Sequence, residues 1–377
     1  MPFLLIHVFI EISSMKKFFL FVFLSLPIIL FAQQYQWFNP STSATAVIDG
    51  RGWHKELASP YDRFPASAEK ALRPAVWNLS RNSAGQYIGF TTNSSTVVVR
   101  YVVKGSQSMP HMPSTGVAGV DLYALDVKGD WRWAKGSWKF GDTIEYRFNN
   151  MKLSQDMEAF RLYLPLYTSV QWMEIGVPKN QLFTPKAVSI EKPIVAYGTS
   201  ILHGACASRP GLAWTNILGR KLNSNIINLG FSGNGQLEDA VIDLINSLDA
   251  KMYILDCMPN LTLRDQFPVE EIEKRIRKAV GTIQKNHPGV PIVLAEHCSG
   301  LNGMNMDSVM TSKYTAVSEL SALVFGKMKK EGIKNIYHLT AEAIGFDTES
   351  TVDGTHPNDI GMMKYAEAFE KIIKKIK

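Results

Sequence analysis

The feature that most constrains this chain is a change of hydrophobic period near Lys192. Before it, strand-like runs follow one another at Gln86 to Thr92, Thr96 to Val103, Ser137 to Phe140, Thr143 to Phe148, Ala159 to Leu164 and Val170 to Ile175. They are rich in Val, Tyr, Phe, Trp and Thr, and many alternate apolar with polar residues, the period of a half-buried strand. An antiparallel β-sandwich or jelly roll is expected there. After Lys192, short apolar strand runs (Pro193 to Tyr197, Ile226 to Leu229, Lys251 to Cys257, Pro291 to Ala295, Ile336 to Leu339) alternate with helical periods (Ala213 to Leu222, Leu237 to Ser247, Val269 to Asn286, Thr311 to Glu331, Asp359 to Lys375). That alternation predicts an α/β fold, a parallel sheet covered on both faces by helices. The division expected is a leader at 1–34, a β-sandwich domain at 35–180 and an α/β domain at 181–377, with the linker in Pro178 to Glu191.

The leader has the order of a secretory signal peptide. Met15-Lys16-Lys17 is basic, Phe18 to Phe31 is almost wholly apolar, and Ala32-Gln33-Gln34 turns polar. Met15 is the more natural start. The apolar run is short against the roughly 20 residues of a membrane span. An uncleaved anchor, helped by Phe3 to Ile10, is the alternative; no cysteine follows the run to carry a lipid. The expected location is secreted, periplasmic or at the cell surface, without stable membrane insertion once the leader is cleaved.

The charged fraction of 20% and the hydrophobic fraction of 46% are those of an ordinary globular protein and exclude a disordered or low-complexity chain. The net charge of +6 sits partly at Lys16, Lys17 and the Lys371 to Lys377 tail, and no basic run is interleaved with aromatics, so nucleic acid is not an expected partner. The three cysteines, Cys206, Cys257 and Cys298, are far apart, which permits one disulfide at most and fits small buried residues better. No metal or organic cofactor is expected, and the oligomeric state is open.

In open parallel sheets, ligands sit beyond the C-terminal ends of the strands. Residues that carry chemistry should therefore follow Tyr197, Leu229, Asp256, Ala295 and Leu339. Gly198-Thr199-Ser200 follows the first strand and offers a hydroxyl nucleophile. The glycine-rich Asn228 to Gly235 follows the second and offers backbone N–H groups to a developing oxyanion. Asp256-Cys257-Met258-Pro259-Asn260 follows the third and offers an amide donor. Asp353-Gly354-Thr355-His356-Pro357 precedes the last helix, with a carboxylate near enough to orient the imidazole. Each segment alone reads equally well as a cap or turn. Together they supply a nucleophile, oxyanion donors, a base and an orienting acid.

The order of these segments resembles the SGNH, or GDSL-like, hydrolase superfamily over Pro193 to Lys377. The resemblance implies a three-layer α/β/α sandwich of flavodoxin-like type. It also implies Ser200 as nucleophile, His356 as base, Asp353 as the orienting acid, and an oxyanion hole of the Ser200 N–H, the Gly233 N–H and the Asn260 side chain. Thr199 stands where Asp is usual and Ile201 where Leu is usual. Met258 and Leu261 replace the glycine and aspartate of the third block. Upstream, Gly119-Val120-Asp121-Leu122-Tyr123 is similar to the G-x-D-L-Y signature of β-sandwich domains that precede some of these hydrolases; its plain reading is a sandwich strand with an outward Asp.

His203, one turn after Ser200, Arg209 and His297 (after Glu296 at the fourth strand's end) are further candidates for the substrate pocket. Trp131, Trp133 and Trp138 serve either the core or a sugar face. The expected function is a secreted carboxylic ester hydrolase with a Ser-His-Asp acyl-enzyme mechanism, removing short acyl groups such as acetyl from a carbohydrate. An acyltransferase with the same serine site and a non-catalytic glycan-binding protein are the alternatives.

Overall fold

A computed structural model describes residues 34–264, 266–297 and 305–376. The expected leader up to residue 33, and Cys298, lie outside the described residues. In chain order the strands of the first part are β1 (Tyr35–Phe38), β2 (Ile48–Asp49), β3 (Tyr87–Thr92), β4 (Val97–Lys104), β5 (Asp121–Leu125), β6 (Trp131–Ala134), β7 (Gly136–Lys139), β8 (Ile144–Phe148), β9 (Glu158–Tyr163), β10 (Ser169–Pro178) and β11 (Phe183–Pro185). They form two sheets, of order β1-β10-β4-β8-β7 and β11-β3-β9-β5-β6, with β2 also on β3. The pairs β10 on β4, β4 on β8, β3 on β9 and β5 on β9 are all antiparallel. Alternate residues point inward, the consequence of the strand's two-residue period: Val97, Val99 and Tyr101 of β4, Ile144 and Phe148 of β8, Ile88 and Phe90 of β3, and Leu122 of β5 are buried in one core. The expected antiparallel sandwich is therefore present.

The second part holds β12 (Ile194–Gly198), β13 (Ile226–Gly230), β14 (Met252–Asp256), β15 (Ile292–Ala295) and β16 (Ile336–Leu339) in one parallel sheet of order β13-β12-β14-β15-β16. The chain runs from β12 out to β13 and then crosses back to β14, so the switch point lies between β12 and β14, where such folds bind ligands. Both faces of the sheet are buried. Ile194 and Ala196 pack with Trp214 and Phe369, whose rings stack at 4.4 Å, while Val195 and Tyr197 join the opposite core. This is the α/β fold that the alternation predicts.

Three features differ from the expectation. The linker is not free chain: β11, inside Pro178 to Glu191, pairs antiparallel with β3, and Phe183 packs on Phe90 at 4.9 Å. A three-residue edge strand ending in proline leaves no periodic signal. Second, the segment between β2 and β3 reaches the parallel sheet. Phe64, together with Val76 and Trp77 of α1 (Pro74–Ser80), lies in the same core as Val195 and Leu229. Third, Asp121 does point away from the sandwich core, but into a buried interface, and is only 3% exposed. Its carboxylate accepts hydrogen bonds from Arg209, from the Gly211 N–H (3.0 Å) and from Trp133 Nε1–H (2.7 Å). A Cβ on Gly211 would lie 2.4 Å from the Tyr123 ring, so only glycine allows this approach. Around it, guanidinium groups cover aromatic faces, Arg209 over Trp133 at 4.5 Å and Arg220 over Tyr123 at 3.9 Å. The Asp121 to Tyr123 strand thus welds the two sheet systems together.

Cys206 and Cys257 are free and buried, as the packing reading expects. No helix among the described residues is long and apolar enough to cross a membrane.

Candidate active site

The site begins with a close approach. β12 ends at Gly198, where a Cβ would lie 2.6 Å from the Asp256 carbonyl oxygen. Glycine therefore lets the chain turn directly into the short helix Ser200–His203, capped by Thr199, whose Oγ1 accepts from the Ile201 N–H at 3.3 Å. Ser200 is the first residue of that helix, and Gly204 closes it at φ +107°. The Ser200 N–H, on the first turn, has no acceptor among the described residues.

His356 arrives from the other end of the sheet. It lies in the loop before the helix Asp359–Lys375, whose N-terminus is capped by Asn358. Asp353 shapes this loop with both oxygens. Oδ1 accepts from the Thr355 and His356 N–H groups at 3.0 and 2.8 Å, and Oδ2 accepts from His356 Nδ1–H at 2.7 Å. Gly354 at φ +83° makes the turn possible. Partial burial pushes the Asp353 carboxyl up, but the His356 ring and the two backbone N–H groups outweigh it and hold the acid well below the usual carboxylate range. An ionised Asp353 fixes the imidazole proton on Nδ1 and leaves Nε2 as an acceptor. Nε2 lies 2.9 Å from Ser200 Oγ. Hydroxyl, imidazole and carboxylate are in line, an arrangement that can take a proton from Ser200.

Two further donors lie at neighbouring strand ends. The loop after β13 is tied back to β12 by the Phe231 N–H on the Gly198 carbonyl (3.0 Å), and it turns at Gly233, φ +70°. The Gly233 N–H has no acceptor among the described residues. Asn260, after β14, accepts the Gly235 N–H on Oδ1 at 3.0 Å. That bond fixes the amide and leaves Nδ2 without an acceptor among the described residues. β12, β13 and β14 are adjacent, and Gly198, Gly230 and Asp256 are level in the sheet, so Ser200, Gly233 and Asn260 share one edge.

The three pocket candidates have different fates. His203 is completely buried. Its Nε2–H donates to the Leu166 carbonyl at 2.7 Å and its ring stacks on Tyr167 at 4.1 Å, so it anchors the helix to the sandwich. Arg209 binds Asp121 and, at 2.7 Å, the Tyr123 hydroxyl; its charge is committed to the weld between the sheet systems. His297 is 1% exposed and packs on Tyr314 at 3.8 Å. Burial, and then the nearby His356, push its pKa down to about 3, so it stands near His356 as a neutral ring.

Three residues escaped the sequence reading. His111, exposed on a sandwich loop, has its ring centroid 5.9 Å from that of His356. Arg63, fully buried, donates to the Asn228 and Gly230 carbonyls at 3.1 and 2.9 Å and so supports the end of β13. Asp256 is buried with neither carboxylate oxygen hydrogen-bonded among the described residues, and burial pushes its pKa up to about 7. Only Asp256, at a strand C-terminus, carried a positional signal.

Residues 191–374 match the model of the GDSL-like lipase/acylhydrolase family, and residues 35–183 match GxDLY, the N-terminus of SGNH-hydrolase-type esterases. A protein of Bacteroides ovatus ATCC 8483 assigned as a GDSL-like lipase is 31% identical, with 91% of this chain and 98% of that one covered at a TM-score of 0.81. The salicylyl-acyltransferase SsfX3 of a tetracycline biosynthetic pathway is 20% identical, covering 91% and 97% at a TM-score of 0.71. A family two carbohydrate esterase from Cellvibrio japonicus is 13% identical, covering 91% and 98% at 0.51. No curated protein matches. The chain belongs to the GDSL-like lipase/acylhydrolase family and is a serine esterase of the SGNH fold with a GxDLY-type β-sandwich before it.

Proposed function

We propose that this esterase works outside the cytoplasm and removes short acyl groups, acetyl above all, from a carbohydrate, with Ser200 as nucleophile, His356 as base and Asp353 as its orienting acid. The observation that carries the mechanism is the continuous hydrogen-bond chain from Ser200 Oγ through His356 to Asp353, at 2.9 and 2.7 Å. Ser200 Oγ attacks the ester carbonyl carbon as its proton passes to His356 Nε2. The tetrahedral oxyanion is received by the Ser200 and Gly233 N–H groups and Asn260 Nδ2–H, donors that are set before reaction and need no reorganisation. The imidazolium returns its proton to the departing alcohol oxygen. A water then gives its proton to His356 and attacks the acyl-enzyme, releasing the acid and restoring Ser200.

The substrate reading is supported by carbohydrate esterases of the same fold and by the exposed Trp133 and Trp138. Export is supported by the order basic, apolar, polar from Met15 to Gln34. The test is an ester panel from acetyl to octanoyl, with acetylated sugars included, run beside Ser200→Ala. A preference for acetylated sugar and loss of fluorophosphonate labelling in Ser200→Ala are expected; undiminished turnover in that variant would sink the mechanism.

A second reading, transfer of the acyl group to another hydroxyl rather than to water, is favoured by one observation. A chain of the same two-part architecture is a salicylyl-acyltransferase. Product analysis with a candidate acceptor alcohol present separates transfer from hydrolysis.

A further inference from the structure

A cavity of about 220 Å³ lies where the chain passes from one sandwich sheet to the other, at the corner between β6 and β7. Trp133 and Trp138 wall it, Tyr146 lines it beneath, and Lys135, Ser208 and Arg209 stand around it. The two tryptophans are 48% and 53% exposed, high for side chains of this size. They are nevertheless held in place. Trp133 donates its indole N–H to Asp121 at 2.7 Å and has Arg209 over its ring at 4.5 Å. Trp138 stacks on Tyr146 at 5.8 Å and 28°. Tyr146 is only 3% exposed, and its hydroxyl has no hydrogen-bond partner among the described residues. Rigid aromatic faces kept open to solvent, with the Lys135 ammonium at their edge, suit a ring that is apolar on its faces and hydroxylated at its rim. That is a pyranose. An alkyl chain makes no use of the Lys135 ammonium.

The cavity is also linked to the loop that carries His356. Ser208 donates its N–H and its hydroxyl to Asp359 at 2.9 and 2.6 Å. Asp359 is the third residue after His356, so about 10 Å of chain at most separates them. On the sandwich side, Thr115 of the cavity wall donates to the Ser208 carbonyl at 2.7 Å.

We infer that this cavity is a distal sugar subsite, taking one pyranose unit of a glycan chain whose ester is presented to Ser200. The inference rests on the carbohydrate reading above and adds where the chain is held. It is tested with Trp138→Ala, which removes an exposed ring with no hydrogen bond to the site, and with Trp138→Phe as the conservative control. Three assays are run on the full chain. They are hydrolysis of p-nitrophenyl acetate, deacetylation of acetylated xylan and acetylated glucomannan, and calorimetric binding of xylohexaose and mannohexaose to Ser200→Ala with and without Trp138→Ala.

Trp138→Ala is expected to leave p-nitrophenyl acetate turnover and the melting temperature unchanged. KM for the polymer whose acetyl groups are released should rise about tenfold, hexasaccharide affinity should fall by a similar factor, and Trp138→Phe should recover most of both. An unchanged polymer KM in Trp138→Ala overturns the subsite while leaving the carbohydrate reading standing. If the wild-type enzyme hydrolyses p-nitrophenyl acetate but neither polymer and binds neither hexasaccharide, the carbohydrate reading fails and the subsite falls with it.

Discussion

The His111 ring lies 5.9 Å from the His356 ring, at an interplanar angle of 34°, although His111 belongs to a loop of the sandwich and His356 to the last loop of the α/β part. The loop that carries His111 is pinned by paired backbone hydrogen bonds between Met109 and Met112 at 3.3 and 3.2 Å. The sandwich thus contributes a side chain to the rim of the candidate site. His111→Ala should lower kcat/KM for a sugar ester about tenfold, mainly through KM, because an exposed rim group contacts the substrate body rather than the reacting atoms. Steady-state kinetics with the melting temperature as control checks this; a fall confined to kcat would contradict it.

Asn260 is predicted to act through Nδ2 alone, since Oδ1 is occupied by the Gly235 N–H at 3.0 Å. Asn260→Ala should lower kcat by a factor on the order of 10²–10³ with little change in KM, the usual loss for one oxyanion donor. Asn260→Asp keeps the acceptor for Gly235 and loses the donor, so it should be no better than alanine in kcat while restoring the loop's stability. Recovery of kcat in Asn260→Asp would show that holding Gly235 is the whole role.

Arg63 joins the segment between β2 and β3 to the end of β13, with the Leu79 carbonyl as a third acceptor at 2.6 Å and the Phe231 ring 5.0 Å away. Burial pushes its guanidinium pKa down to about 9, yet it stays charged at neutral pH. Arg63→Met leaves buried carbonyls unpaired and should cost about 3 kcal/mol or more of folding stability, measured by urea denaturation. Activity should fall with it, because the loop bearing Gly233 starts from that strand end. A loss under about 1 kcal/mol would mean that water takes over the three carbonyls.

Asp256 makes stability depend on pH in an uncommon direction. Its pKa is raised from 3.8 to about 7 by burial, so the folded chain keeps a proton that the unfolded chain releases. Its contribution is full below pH 4 and is lost as the pH climbs through about 7. Asp256→Asn is neutral throughout. Its stability relative to wild type should therefore rise between pH 4 and pH 8, by something on the order of 1–4 kcal/mol. Denaturation curves at those two pH values decide it; an equal difference at both would exclude the linkage.

Two of the long helices were legible to the residue, while the longest, Ser308–Lys330, starts three residues before its expected Thr311. The helix Val269–Asn286 and the helix Asp359–Lys375 have their expected bounds, because many apolar positions at a period of 3.6 overdetermine the register. Strands β12 to β16 fall within a residue of their expected limits for a related reason: each is a short apolar run between polar turns. β11 and the contact of Phe64 with the parallel sheet were not legible. They depend on partners far away in sequence, and a local pattern carries no record of a distant partner. His203 and Arg209 show the same limit. Their positions after the first strand suited a pocket, but Leu166 and Asp121, both from the other sheet system, claimed them.

By itself the sequence determined the period change at Lys192, the two sheet types that follow from it, the strand ends that bear Ser200, Gly233 and Asn260, and the loop before the last helix that bears His356. These are set by local chemistry: strand period, helix period, and glycine where the backbone must turn sharply. Only the tertiary structure decided which groups meet. It set Ser200 Oγ 2.9 Å from His356 Nε2, turned Asp121 from an outward strand residue into a buried tie, brought His111 across from the sandwich, and left Trp133 and Trp138 open to solvent. The physical reason is that distances across a fold come from packing two cores against each other, and packing is a property of surfaces assembled from the whole chain.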